Sequence, residues 1–492
     1  MIEKLTIRNF KSWEICDLEF GKVTALFGAN SSGKTSILQF LLMLKQTASS
    51  RDRRIFNFGG DERDFVDLGS YESAVHGHDV SKGIGFDIKW DTDKISKWYM
   101  ESSDAEEAFK VLHGSFFVEL ANINEEVTVK TIRSKVQGKL STQYDDTGPD
   151  IEGDYSGERS AGRNVDGTYS SYIPSNGQVE APIVAHMISF FEWVDIRNRA
   201  DAENYRHVPL ESSALNESFE KLLGMTHYLG PLRAYPQREY RWTGERPSTV
   251  GVRGEFAVQT MLADLVAGKP NSNQEQGKLL ASANTWLKRL GVVEEIELRP
   301  VGEKSRLYEV IVKSPNFKHE ANLADVGFGV SQVLPIVVMA HLVPEGSLII
   351  LEQPELHLHP NVQTQLADFF LELSVERNIQ FLIESHSERL MQRLQQLMVE
   401  KPGKLATLKD NDLRFYFCRR DPDGSVLEPV HSDLTGSITN IPGDFYDSVL
   451  PFLQQLEADG LGTEPIDISA NHDEYVAQPS VRVLRDKDDQ SE

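Results

Sequence analysis

The chain has 492 residues, 40% of them hydrophobic, enough for two or three domain-sized cores. Lys and Arg total 51 against 75 Asp and Glu, a formal net charge of −24. That balance argues against a protein wrapped in nucleic acid over much of its surface, though it leaves room for a local basic groove. The two cysteines, Cys16 and Cys418, sit inside apolar runs, the start lacks an apolar signal core, and no run reaches membrane-spanning length. A soluble cytoplasmic protein with reduced core thiols is therefore expected, with no membrane contact.

Residues 1–27 read as strands: "KLTIRNF" alternates, and "KVTALF" is a short apolar run ending at a glycine. "GANSSGKT", Gly28 to Thr35, follows and fits the pattern G-x-x-x-x-G-K-[ST] at every fixed position. Gly28 and Gly33 permit a backbone that turns successive N–H groups inward. The helix that begins after them adds its partial positive charge to a phosphate site. Lys34 can reach β- and γ-phosphates, and the Thr35 hydroxyl can ligate Mg²⁺. The candidate nucleotide-binding set is Gly28, Ala29, Asn30, Ser31, Ser32, Gly33, Lys34, Thr35 and Ser36, with ATP and Mg²⁺ as the cofactors. "TSILQFLLML" supplies the helix. A chance Gly/Ser-rich turn rarely has both a strand before it and a helix after it.

Further along, "KGIGFDIKW" and "GSFFVELANINEEVTVKTIRS" return to strand patterning. From about 141 to 180 Gly, Ser and Asp dominate, which predicts a mobile loop inside a larger insertion. Helical text is expected over about 254–290, and "VEEIELRPVGEKSRLYEVIVKS" reads as a hairpin or meander. "ADVGFGVSQVLPIVVMAHLV" places Gly327 and Gly329 before Ser331 and an apolar helix, an entry suited to anions; Pro335 fits that helix only in its first turn.

"SLIIL" is an apolar strand ending in Glu352, where a carboxylate can hold Mg²⁺ directly or through water. "IQFLIESHSERL" is a second buried strand ending in a polar cluster with His386. Strands with polar carboxyl ends belong to the ligand edge of an open α/β sheet. "LRFYFCRRDPDGSVLEPV" is a hairpin with "DPDG" as its turn, a short helix is expected near "GDFYDSVLPFLQQL", and the acidic tail is expected to be disordered.

In the order "IRNFKS", "GANSSGKT", a large insertion, "GFGVSQ", "LEQPELHLHP" and "IESHS", the chain resembles an ABC-type ATPase of the RecF/SMC/OLD kind. It is especially similar to bacterial OLD-like ATPases with a small C-terminal domain of unknown function, which "THYLGPLRAYP" and "GSITNIPGDFYD" match too. The resemblance covers most of 1–90, 226–260 and 320–450. It implies an α/β P-loop NTPase of ABC/SMC-head type, split by a large insertion, with a small C-terminal α+β extension. The expected division is an N-terminal lobe over 1–94, the insertion over 95–225, a second lobe over 226–400, the small domain over 401–456 and the acidic tail over 457–492. It further implies that Lys34 and Thr35 bind phosphate and Mg²⁺, and that Glu352 takes the Walker B role with Thr35 as metal ligand. Gly329 and Ser331 stand in for the signature motif, reaching ATP across a homodimer. "HLHP" lies where the D-loop would be, and His386 is the switch histidine. No glutamine is placed in the Q-loop; Gln39 and Gln46 lie on the helix after the phosphate loop. Anti-phage defence or DNA maintenance with a separately encoded effector such as a nuclease follows by analogy, and DNA binding stays open.

One position departs from that pattern. A glutamate usually follows the Walker B acid, but here it is Gln353, which cannot accept a proton as a general base. Three readings stand: Glu355 swings in as the base; Gln353 only positions water and turnover is slow, the favoured reading; or the protein binds ATP, dimerises and hydrolyses little. Glu352, Gln353, Glu355 and His386 form the candidate catalytic set. Blander readings win elsewhere. His357 and His359 have H-x-H spacing without further ligands nearby. Asp421 and Asp423 belong to a turn, not to a Toprim nuclease. "RDRR" at 51–54 is read as a solvated loop. Arg233, Arg238 and Arg241 interleave with Tyr235, Tyr240 and Trp242 as a nucleic-acid surface would, but the segment is too apolar to be all surface. A transporter subunit is the rival enzyme; the "NFKS" start, the insertion and the poor signature argue against it.

Overall fold

The computed structural model describes residues 1–50, 56–92 except 62–63, 210–266, 277–430 except 304, 315–318 and 402, residue 440, and the backbone of most of 100–196. The chain opens with β1 (Ile2–Phe10), β2 (Trp13–Glu19) and β3 (Val23–Phe27), followed by α1 (Lys34–Ser49). After β4 (Gly85–Asp91) come the long strands β5 (Glu107–Ile123), β6 (Glu126–Thr142) and β7 (Ile151–Arg163). The helix α2 (Leu210–Gly224) returns the chain to β8 (Thr226–Leu229). The second half holds α3 (Phe328–Leu342), β9 (Leu348–Glu352), α4 (Pro360–Glu376), β10 (Gln380–Glu384), α5 (Glu388–Glu400), and the hairpin β11 (Leu413–Asp421) and β12 (Gly424–Pro429).

Six of these strands form one sheet in the order β8-β9-β10-β3-β11-β12. All are parallel except β12. The three strands at its centre, β3, β9 and β10, are buried at every position, which explains their unbroken apolar text: a parallel strand covered on both faces has no solvent side to alternate with. Register then fixes the chemistry. Glu352 on β9 pairs with Glu384 on β10, and Glu384 pairs with Leu26 on β3. The two carboxylates and the loop after β3 therefore leave the sheet at one edge, its carboxyl end.

A second, antiparallel sheet starts at β1 and β2 and runs outward through β4, β5, β6 and β7. Its inner part packs on α1 and α2. Trp90 of β4 lies against Phe116 of β5 and Phe219 of α2, with ring centroids 5.4 and 4.9 Å away. The segment "VEEIELRPVGEKSRLYEVIVKS" forms the expected hairpin, with Glu295–Pro300 antiparallel to Leu307–Lys313.

Three expectations need correction. Residues 401–456 were expected to form a small C-terminal domain, but within them β11 lies parallel to β3 and extends the central sheet. The stretch 141–180, expected to be a mobile loop, contributes strands, among them β7, paired with β6 from Ile151 to Gly162. A ladder is made by backbone groups, so Gly, Ser and Asp can enter one when a neighbouring strand offers partners. Pro335 lies inside α3, not in its first turn. Its ring fills the space beside Gly254, where a Cβ would come within 2.5 Å of it. The expected helix near residue 443, the tail over 457–492 and the basic run 51–54 lie outside the described residues.

Candidate active site at the carboxyl edge of the parallel sheet

The loop after β3 has the backbone its glycines predict. Gly28 and Gly33 have φ of 139° and 98°. A Cβ on Gly28 would come within 2.2 Å of the Cys418 carbonyl oxygen, and one on Gly33 within 2.5 Å of the Ser425 hydroxyl. The hairpin β11–β12 thus braces the loop from behind, and no side chain fits at either position. Asn30 and Ser31 sit exposed at the tip, Ser31 with a left-handed φ of 62°. Ser32 and Lys34 are buried, and Ser36 enters α1 with its N–H on the Gly33 carbonyl at 3.1 Å. The Lys34 ammonium donates to the carbonyls of Gly28 (2.9 Å) and Ala29 (2.7 Å) and to Ser32 Oγ (3.4 Å). Burial lowers its pKa, and the charges of Glu384 and Glu355 oppose that shift.

Three glutamates face this loop. The Thr35 hydroxyl lies 3.0 and 2.9 Å from the two carboxylate oxygens of Glu384. Glu352 accepts the Tyr228 hydroxyl of β8 at 2.9 Å. Glu355 accepts the His386 backbone N–H on Oε1 at 2.7 Å, while its Oε2 is buried without a hydrogen-bond partner. Burial raises the pKa of all three. Glu352 is raised to about 7, by desolvation first and the Glu384 charge second. Burial, and then Glu352, keep the Tyr228 phenol protonated. The His386 ring hydrogen-bonds the Gly28 backbone, and burial with the Lys34 charge nearby lowers its pKa to about 4, so it is neutral at physiological pH. Gln353 has a left-handed φ of 43°, and its N–H donates to the Glu384 carbonyl at 2.8 Å.

The structure therefore brings Lys34, Thr35, Glu352, Glu355 and His386 to one edge, with Gln353 between the two glutamates that flank it in sequence. Ser331 is elsewhere: buried, it donates to the Phe328 carbonyl at 2.8 Å and lines a cleft with Tyr235, Tyr240 and Pro335, which no phosphate-loop residue lines; Gly329, in the first turn of α3, does not line that cleft. Gln39 and Gln46 hold structural contacts, to Lys11 and to the 57–66 backbone. His357 is exposed, and His359 caps α4 through the Asn361 N–H, so the H-x-H pair is a turn and a helix cap. The interleaved basic and aromatic residues do not share one surface: Arg233 and Tyr240 are buried, and Arg238 forms a two-pronged pair with Asp325. Sequence reasoning missed Glu384, Tyr228 and the inward placement of Arg233. The strand-ending acid in "FLIESHS" was the one available signal.

The residues fit Mg²⁺-ATP. The loop has no room for a Cβ, its lysine is held inside it, and a hydroxyl and acidic oxygens meet beside it. Thr35 with Glu384 or Glu352 would hold the metal, which when bound neutralises phosphate charge. Only an ionised carboxylate ligates well. With Glu352 near 7, Mg²⁺ affinity in the presence of nucleotide is expected to rise about tenfold from pH 6 to pH 8. That increment, read in metal titrations of nucleotide binding, should shrink in Glu352→Gln, which leaves only the titration of Glu384.

A parallel sheet with this loop and these carboxylates at one edge defines a P-loop NTPase of the α/β class. The family described as "AAA domain, putative AbiEii toxin, Type IV TA system" matches residues 23–392, and the chain belongs to it. It is thus an ATP-binding, AAA-type ATPase domain. No curated protein matches the chain. Among solved structures it is similar to the Smc head bound to the C-winged helix domain of ScpA, at 14% identity over 87% of this chain and 98% of that one, TM-score 0.40. It is also similar to the SMC head domain from Thermotoga maritima, at 12% over 87% and 99%, TM-score 0.36. A third is the Smc head with an extended coiled coil bound to the C-terminal domain of ScpA from Pyrococcus furiosus, at 11% over 93% and 99%, TM-score 0.38. Among the described residues no helix is long and apolar enough to cross a membrane.

Proposed function

We propose that the protein is a slow Mg²⁺-dependent ATPase of the OLD/RecF-like kind that dimerises on ATP and acts as a switch for a separately encoded effector. The observation that carries the chemistry is the Glu355 carboxylate. One oxygen is fixed by the His386 N–H and the other is buried and unfilled, beside the phosphate loop's lysine in charge terms. Such an oxygen can take a proton from a water aimed at a γ-phosphate. This favours Glu355 over Gln353 as the group that activates water. Gln353 contributes a backbone anchor through Glu384 and an amide where a second carboxylate would otherwise stand, which supports slow turnover. Lys34 then holds the phosphates, and neutral His386 ties the strand end after β10 to the loop.

Use of Gly329 and Ser331 across a dimer is supported by the place of Ser331 in a cleft that the chain's own phosphate loop does not line. The family description, with its toxin of a type IV toxin–antitoxin system, supports a defence role with a partner protein. Gln353 favours one second reading, an ATP-gated scaffold that scarcely hydrolyses. Phosphate release measured beside molecular mass, in ATP and in ADP, separates them. Slow release with a dimer only in ATP is expected. A dimer in ATP without release supports the scaffold, and fast release by a monomer rejects the switch.

A further inference from the structure

Arg233 is a cation in the wrong place for a surface residue. It follows β8 in the segment "LGPLRAY", where its neighbours Leu232 and Tyr235 are 71% and 75% exposed while Arg233 is 7% exposed. The usual preference puts the apolar side chain in and the charge out. The backbone enforces the inversion. The Gly230 N–H donates to the Val252 carbonyl and the Ala234 N–H to the Arg253 carbonyl, each at 2.8 Å, so the loop is pinned on both sides of Arg233. A Cβ on Gly230 would come within 3.0 Å of the Tyr228 hydroxyl, the same hydroxyl that donates to Glu352.

The side chain so directed lies near Tyr228, Glu352 and Glu355, close enough for its charge to act on each. Yet its Nε and Nη1 are buried without a hydrogen-bond partner. Leaving a buried guanidinium donor unfilled is costly. Glu355 Oε2, an acceptor, is unfilled in the same cluster. Two donors and one acceptor, within reach of each other's charge, are thus left for a group that accepts from a guanidinium and also has a hydrogen to give. A phosphate oxygen together with its attacking water meets both demands, and a guanidinium fork matches phosphate oxygens in shape and charge.

We propose that Arg233 contacts the terminal phosphate of the bound nucleotide from within the same chain, so that it distinguishes ATP from ADP. This rests on the ATPase reading above and adds to it a residue that reports the presence of the γ-phosphate. Lys34 serves the phosphates through the loop; Arg233 approaches from β8, the strand on the far side of Glu352. An ADP-bound site leaves its two donors unfilled, and an ATP-bound site fills them.

The test is equilibrium binding of fluorescent ADP and of a slowly hydrolysed ATP analogue with Mg²⁺, to wild type, Arg233→Gln and Arg233→Lys. Thermal melting accompanies each variant, and the lysine variant keeps a cation among the carboxylates if glutamine fails to fold. The preference for the triphosphate is expected to fall about tenfold or more in Arg233→Gln and by a smaller factor in Arg233→Lys, with ADP affinity within about twofold throughout. An unchanged preference in a folded variant overturns the proposal, as does an equal loss of both nucleotides, which would make Arg233 a structural counter-charge. Wild type that binds neither nucleotide rejects the ATPase reading itself.

Discussion

Lys34→Ala is expected to lower ATP turnover by about 10²–10³-fold and to weaken nucleotide binding with it, as measured by phosphate release and by titration of a fluorescent nucleotide. The physical reason is the position of the ammonium. It is buried inside the loop, held by the carbonyls of Gly28 and Ala29, so its charge meets phosphate with little water between. Alanine removes that charge and three donors at once. It also leaves two of the three raised carboxylates with less positive charge beside them, since Lys34 acts on both Glu355 and Glu384. The variant is therefore expected to bind Mg²⁺-nucleotide weakly even at high metal concentration. Wild-type turnover in Lys34→Ala would place hydrolysis somewhere other than this loop.

The second large effect is at Glu355. Glu355→Gln is expected to cut the hydrolysis step by about 10²–10⁴-fold while nucleotide binding stays within a few-fold of wild type. Glutamine keeps the acceptor for the His386 N–H but cannot take a proton. The ATP-bound form should then accumulate, and any ATP-dependent dimer should live longer. Gln353→Ala is the matched control. Its backbone N–H to Glu384 survives the change, so the expected loss is small. The opposite pattern, turnover intact in Glu355→Gln and lost in Gln353→Ala, would return the water to the amide.

How much of this was legible in the sequence depended on distance along the chain. The phosphate loop was readable because strand, glycines, lysine and helix are consecutive, and each residue type answers a local demand. Glu352 was readable for the same reason, as the acid ending an apolar strand. Glu384 was not, because its meaning comes from Thr35, 349 residues earlier, and from a register that sets β10 between β3 and β9. The segment around Arg233 read as too apolar to be all surface, but nothing singled out the arginine as its inward charge, because its pinning partners, Val252 and Arg253, show no pattern in one dimension. The hairpin "DPDG" was seen, but its parallel docking on β3 was not, since nothing in an apolar strand names its neighbour. Gly254 is a like case: it has no side chain where the Pro335 ring packs, a demand that no neighbour in sequence announces.

The most direct measurement is a crystal structure of Glu355→Gln with ATP and Mg²⁺. The expected result has the β- and γ-phosphates in the loop against Lys34, the metal on Thr35, and a water between the γ-phosphate and the side chain at position 355. Phosphates bound outside the loop, or a water held by Gln353 with position 355 turned away, would contradict the account.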